Sequence, residues 1–128
     1  MIRVIENISK AWCKSTCYSP VKEGWTKSNP SFGQCAVTAL LVHDLIGGKI
    51  YYNKELHHYY NITDSGGLID LTNKQFGCGV CYTHDLEADV ESLLHGEASE
   101  KAKTRKRYEK LKKRFEKYME VTNENKEN

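Results

Sequence analysis

The chain has 128 residues, 39% of them apolar and 28% charged, with a net charge of +2. That is enough for one self-sufficient core and too apolar for wholesale disorder. No run approaches the roughly 18–20 consecutive apolar residues of a membrane span. Met1-Ile2-Arg3-Val4-Ile5-Glu6 lacks the apolar stretch of a secretory signal. A cytoplasmic protein with no membrane partner is therefore expected.

The small net charge hides an asymmetry. Residues 1–96 carry 8 Lys+Arg and 10 Asp+Glu, whereas residues 97–128 carry 11 and 7. A basic terminal segment invites a nucleic-acid reading. The seven acids interleaved there oppose phosphate contacts, so a solvated helix is expected and a nucleic-acid partner is not. Five cysteines (Cys13, Cys17, Cys35, Cys78 and Cys81) in a chain without a signal peptide argue against a disulfide framework and turn attention to thiol chemistry or metal.

In chain order, Ile2, Ile5, Ile8 and Trp12 recur at helical intervals and predict an amphipathic helix over residues 2–16. Residues 18–34 hold both prolines, Trp25, Phe32 and the turn Asn29-Pro30-Ser31-Phe32-Gly33, and read as a long loop. A loop of that length is more often functional than idle. Gln34 to Ile46 is apolar on nearly every face and is stopped by Gly47-Gly48, which predicts a central buried helix. Lys49–Tyr52, His57–Ile62 and Leu68–Leu71 are short, aromatic and β-branched, and they read as strands joined by hairpin turns. Residues 72–82 look irregular. Thr83 precedes Leu86, Val90, Leu93 and Leu94, which predicts a capped helix ending at Gly96. The stripe Tyr108, Leu111, Phe115 and Tyr118 marks a charged helix that docks on its own domain. One domain over residues 1–121 and a disordered tail over 122–128 are expected.

The chemistry-bearing residues fall on these elements in a telling order. Cys35 opens the buried helix, His58 lies in the second strand, and Asp70 lies in the third. An ordinary thiol is only slightly ionised at neutral pH, and a helix N-terminus or a neighbouring imidazolium favours the thiolate. Facing residues on adjacent antiparallel strands stand about 5 Å apart. If His58 and Asp70 share a face, the carboxylate can hold one ring nitrogen while the other faces the thiol: nucleophile, base and orienter. A turn centred near residues 64–65 would set His58 opposite Leu71, so this pairing needs one residue of slippage.

Gly33-Gln34-Cys35-Ala36-Val37-Thr38-Ala39-Leu40, Gly47-Gly48, His58-Tyr59-Tyr60-Asn61, Ile69-Asp70-Leu71-Thr72 and Gln75-Phe76 together resemble the YunG-like family of small bacterial and phage-type proteins. Trp12, Trp25, Pro30 and the string Arg107–Lys112 fall in with the same pattern. The family's Cys-His-Asp arrangement is similar to a compact papain-like (cysteine proteinase-like) or transglutaminase-like α+β fold. The resemblance implies Cys35 as nucleophile, His58 as base and Asp70 as orienter. It offers the Cys35 backbone N–H and the Gln34 side chain as oxyanion donors, with Trp25 and Asn61 as supporting residues. The expected function is thiol-dependent acyl transfer on a peptide or protein amide, without a cofactor.

Two other readings stand beside it. Cys78-Gly79-Val80-Cys81 with Cys13 and Cys17 could close a four-thiolate structural zinc site. A non-catalytic module, phage- or defence-related and inhibitory, could use the Trp25–Phe32 loop and the tyrosine-rich strands to bind a protein partner.

Overall fold

The computed structural model describes residues 2–73, 82 and 85–127, with side chains between residues 4 and 122. The apolar segment from residue 35 onward becomes α2 (Cys35–Ile46), in which every residue from Val37 to Val42 is buried. It packs against both a sheet and a long C-terminal helix, α5 (Thr104–Glu127), and is apolar on most of its faces, with Asp44 exposed near its end. Gly47 and Gly48 end it with φ of +75° and +80°. At Gly48 a β-carbon would stand 2.5 Å from the Ile62 carbonyl oxygen, so this turn requires glycine.

The strand grammar gives β1 (Lys49–Asn53), β2 (His58–Ile62) and β3 (Leu68–Ile69), all antiparallel. A further strand, β4 (Leu86–Ala88), pairs with the other edge of β1, and the sheet order is β3-β2-β1-β4. The chain is thus α+β, with a small four-stranded antiparallel sheet. Asn61 faces Ile69 and Ile62 faces Leu68 across the β2–β3 turn. This register is one residue away from the expected one. The turn is closed by Thr63, whose backbone N–H donates to the Gly67 carbonyl at 2.8 Å and whose Oγ1 accepts from the Gly67 N–H at 2.8 Å.

Two expected helices are replaced. The segment 2–16 is not one helix. It is α1 (Ile2–Glu6), a 3-10 turn over Asn7–Ala11, an extended Trp12, and another 3-10 turn over Lys14–Thr16. Trp12 donates its indole N–H to Thr38 Oγ1 at 2.9 Å, and the Cys13 N–H donates to Thr16 Oγ1 at 3.0 Å. A long-range anchor and a local side-chain bond together outcompete helical periodicity. The periodicity still reports burial correctly, for Ile5, Ile8 and Trp12 are core residues.

The helix expected from Thr83 to Gly96 is also shorter. Residues 86–88 form β4, and α3 (Val90–His95) starts at Asp89, whose Oδ2 accepts the Ser92 N–H at 3.0 Å. Thr83 itself lies outside the described residues. A short α4 (Glu97–Ala102) follows, and Lys103 at φ 57° separates it from α5. Tyr108, Leu111 and Phe115 of α5 are buried against α2 and the N-terminal segment. The backbone stays helical to Glu127. No helix among the described residues is long and apolar enough to cross a membrane.

Candidate active site

Cys35 is the first residue of α2. The chain reaches it through Gly33, whose φ is +68° and where a β-carbon would fall 2.5 Å from Cys17 Sγ. The Gly33 carbonyl accepts the Tyr18 N–H at 2.8 Å. The loop is thereby pinned to the preceding segment, and the thiol is held at the positive end of a twelve-residue helix.

β2 begins at His58, which is fully buried. Its Nε2 and Asp70 Oδ2 are 2.7 Å apart, with both side chains essentially without solvent contact. The observed β2–β3 register carries residues 58 and 60 on one face together with 70 and 72. His58 and Asp70 therefore meet diagonally, with no bulge. The Cys35 thiol is one of the groups that raise the His58 imidazole. Cys35 Sγ also lies 3.9 Å from the His57 carbonyl oxygen.

The carboxylate is itself fixed. Asp70 Oδ2 accepts the Tyr82 hydroxyl at 2.6 Å, and Oδ1 accepts the Thr72 N–H at 3.3 Å. Burial is the largest effect on His58 and disfavours its charge. The Asp70 hydrogen bond and the Cys35 thiol outweigh it, and the imidazole is raised to about 9. The ring is then an imidazolium at neutral pH. Burial and the bond to Asp70 push the Tyr82 phenol up, so it remains a neutral donor.

Cys35 opens onto a cleft of about 580 Å³, walled by α2, the β1–β2 hairpin, the α4–α5 junction and the loop before α2. Tyr52, Tyr59, Leu93 and Arg107 are among its lining residues. The cleft is within the size range of small-molecule and peptide side-chain sites. The exposed His57, at φ 51°, hydrogen-bonds Tyr52 through Nδ1 at 2.7 Å. It sits on the cleft rim, whereas His58 sits behind the thiol.

The remaining sequence candidates have other surroundings. Gln34 is wholly buried: its Nε2 donates to the Cys13 carbonyl at 3.0 Å, and its Oε1 accepts from Thr16 at 2.8 Å. Its amide is thus occupied in the loop behind Cys35 and does not line the cleft. Trp25 donates its indole N–H to the Pro30 carbonyl at 3.0 Å and closes the Trp25–Pro30 turn. Asn61 donates to the Ala39 carbonyl at 3.0 Å, clamping β2 onto α2 and so fixing the distance between His58 and Cys35.

Of the four cysteines considered for zinc, Cys78 and Cys81 lie outside the described residues. Cys17 is buried beneath Gly33, and Cys13 is half-buried 3.1 Å from Ser15 Oγ. Among the described residues no three His, Cys, Asp or Glu side chains converge on a metal position. Sequence reasoning missed Tyr82, Thr72 and Arg107. Thr72 carries a local signal, a hydroxyl residue two positions after an aspartate. Arg107 lies four residues before Leu111 on the apolar stripe. Tyr82 reaches Asp70 only through tertiary structure.

The sheet, the largely apolar helix and the buried imidazole–carboxylate pair beneath a thiol-bearing cleft define a small α+β protein with a polar cluster near a helix N-terminus. Sequence comparison agrees on its relatives. The profile of the family described as YunG protein matches residues 1–120. The chain is 32% identical over 102 residues to the uncharacterized protein YunG of Bacillus subtilis (strain 168), which covers 78% of this chain and 82% of that protein. The chain belongs to the YunG family. No solved structure matches it.

Proposed function

We propose that this protein is a thiol-dependent acyl-transfer enzyme with Cys35 as nucleophile, His58 as acid and base, and Asp70 as the group that orients the imidazole. The order of elements, a helix-borne thiol meeting His and Asp from an antiparallel sheet, resembles the papain-like and transglutaminase-like arrangement. The observation that carries the reading is the solvent-free 2.7 Å contact of His58 with Asp70, immediately behind a thiol that faces a cleft.

In the first step Cys35 Sγ attacks the carbonyl carbon of an amide or thioester. In this reading the backbone N–H of Cys35, a first-turn amide with no intrahelical acceptor, donates to the developing oxyanion. The C–S bond forms, the bond to the leaving group breaks, and the His58 imidazolium gives its proton to the departing amine or thiolate. Neutral His58 then takes a proton from water, which attacks the acyl-enzyme and releases the acid and Cys35. An amine in place of water gives transamidation. Asp70 accepts from Nε2 throughout, so that Nδ1 keeps facing the sulfur.

Intact-mass spectrometry with a set of activated esters and thioesters tests this directly. An acyl adduct on Cys35 is expected in the wild type. None is expected in Cys35→Ala, whose melting temperature should stay within about 3 °C because the substitution empties only a cleft-wall position. Absence of any adduct, with Cys35→Ala retaining every binding partner, would favour the non-catalytic module. Unfolding of Cys35→Ala would make Cys35 a packing residue.

A further inference from the structure

Arg107 is 5% exposed and lines the same cleft as Cys35. A guanidinium stays protonated at any physiological pH, and a buried charge needs compensation. Its contacts here are neutral: Nε donates to the Ala102 carbonyl at 2.9 Å, Nη1 to the Thr16 carbonyl at 3.1 Å, and Nη2 to Thr104 Oγ1 at 3.3 Å. The Tyr18 ring lies 5.7 Å from its carbon centre. Among the described residues no carboxylate forms an ion pair with it. These three bonds use three of its five N–H groups. The rest of the lining is mostly apolar and aromatic, with His57, Ser99 and Thr104 as further polar side chains. Among the described residues no aspartate or glutamate lines it, and Arg107 is its only Lys or Arg. The Tyr52 and Tyr59 phenols are pushed up by burial and add no anion.

We propose that Arg107 forms a carboxylate-binding subsite in this cleft, so that the acyl substrate has an apolar body and a carboxylate end. The proposal deepens the acyl-transfer reading and rests on it only for the word substrate. The two remaining N–H groups of Arg107 supply the fork that suits a carboxylate. The apolar walls accept the chain between the carboxylate and the carbonyl presented to Cys35. Acidic peptide side chains and chain-terminal carboxylates are members of this class.

The test uses hexanoate and its neutral counterpart hexanamide, titrated calorimetrically into the full-length Cys35→Ala protein at neutral pH. Hexanoate is expected to bind at least about tenfold more tightly than hexanamide, corresponding to about 1.4 kcal/mol. The preference should disappear in Arg107→Gln and survive in part in Arg107→Lys. Should Arg107→Gln fail to fold, the hexanoate-to-hexanamide ratio in the Arg107-containing protein, together with its loss at high salt, still decides the matter. Equal affinity for the two probes, no binding of either at millimolar concentration, or a preference unchanged in Arg107→Gln would overturn the subsite. The last result would assign the anion to the His58 imidazolium. Selective hexanoate binding beside an unreactive Cys35 would retire the acyl-transfer reading and leave the anion site standing. A reactive Cys35 without selectivity would do the reverse.

Discussion

At the scale of single residues, the account rests on His58. Its raised value, about 9, follows from an environment in which the Asp70 carboxylate and the Cys35 thiol outweigh the cost of burial. Two consequences have opposite uses. Under the proposed acyl-transfer function, the imidazolium is lost as pH rises through about 9, so activity should show an alkaline limb there. Asp70→Asn should move that limb towards the ordinary histidine value near 6.5 and slow the reaction at neutral pH by roughly 10²-fold or more. For stability, a group whose folded value exceeds its unfolded one binds protons preferentially in the folded state. Its contribution is complete below about pH 6.5 and is lost as pH rises through about 9, a change on the order of 3 kcal/mol. Urea titrations at pH 6 and pH 9.5 check this. The midpoint should fall between them in wild type, and the fall should be much smaller in His58→Ala.

At the scale of elements, the sequence was most legible where one pattern decides the outcome. The buried helix, its double-glycine stop and the first two strands were readable because burial periodicity, β-branched content and turn residues agree there. It was least legible where tertiary anchors override local preference. Trp12 bonded to Thr38 breaks an otherwise helical segment, and Leu86–Ala88 extends because the free edge of β1 offers it a ladder. The register shows why the site was only half readable. The residues that form the cluster were visible as types in order. One residue of offset decides whether His58 and Asp70 share a face, and that offset is set by the Thr63–Gly67 turn. Gly33 belongs to this scale as well. With φ +68° and no room for a β-carbon beside Cys17, Gly33→Ala should cost about 1–3 kcal/mol and displace the loop that delivers Cys35. Denaturant melts and the Cys35 alkylation rate should both report it.

At the scale of the whole molecule, the basic C-terminal helix is a structural wall of the site. Leu111 is completely buried, and Phe115 nearly so, in the same cluster as Trp12, Val37 and Leu41. The helix therefore covers α2 on the side away from the sheet, and Arg107 projects from its first turns into the cleft. Arg114 donates to the Ala11 carbonyl at 2.7 Å, adding a polar tie between the two ends of the chain. Of the three arginines in residues 97–128, Arg107 and Arg114 hold backbone carbonyls and Arg105 pairs with Glu109. Leu111→Ala should cost roughly 2–5 kcal/mol and lower the midpoint of the whole unfolding transition, because its core is continuous with that of α2. A separate early transition of the C-terminal helix would contradict that continuity.

The central claim is that His58 primes Cys35. The pH dependence of iodoacetamide alkylation, resolved for each cysteine by peptide mass spectrometry in native wild type and His58→Ala, tests it most directly. Cys35 is expected to react faster than Cys17, which burial protects, and its rate at neutral pH should fall at least about tenfold in His58→Ala. A Cys35 that stays inert, or that follows the rate profile of an ordinary thiol with a value near 8.5 and is indifferent to His58→Ala, would contradict the account.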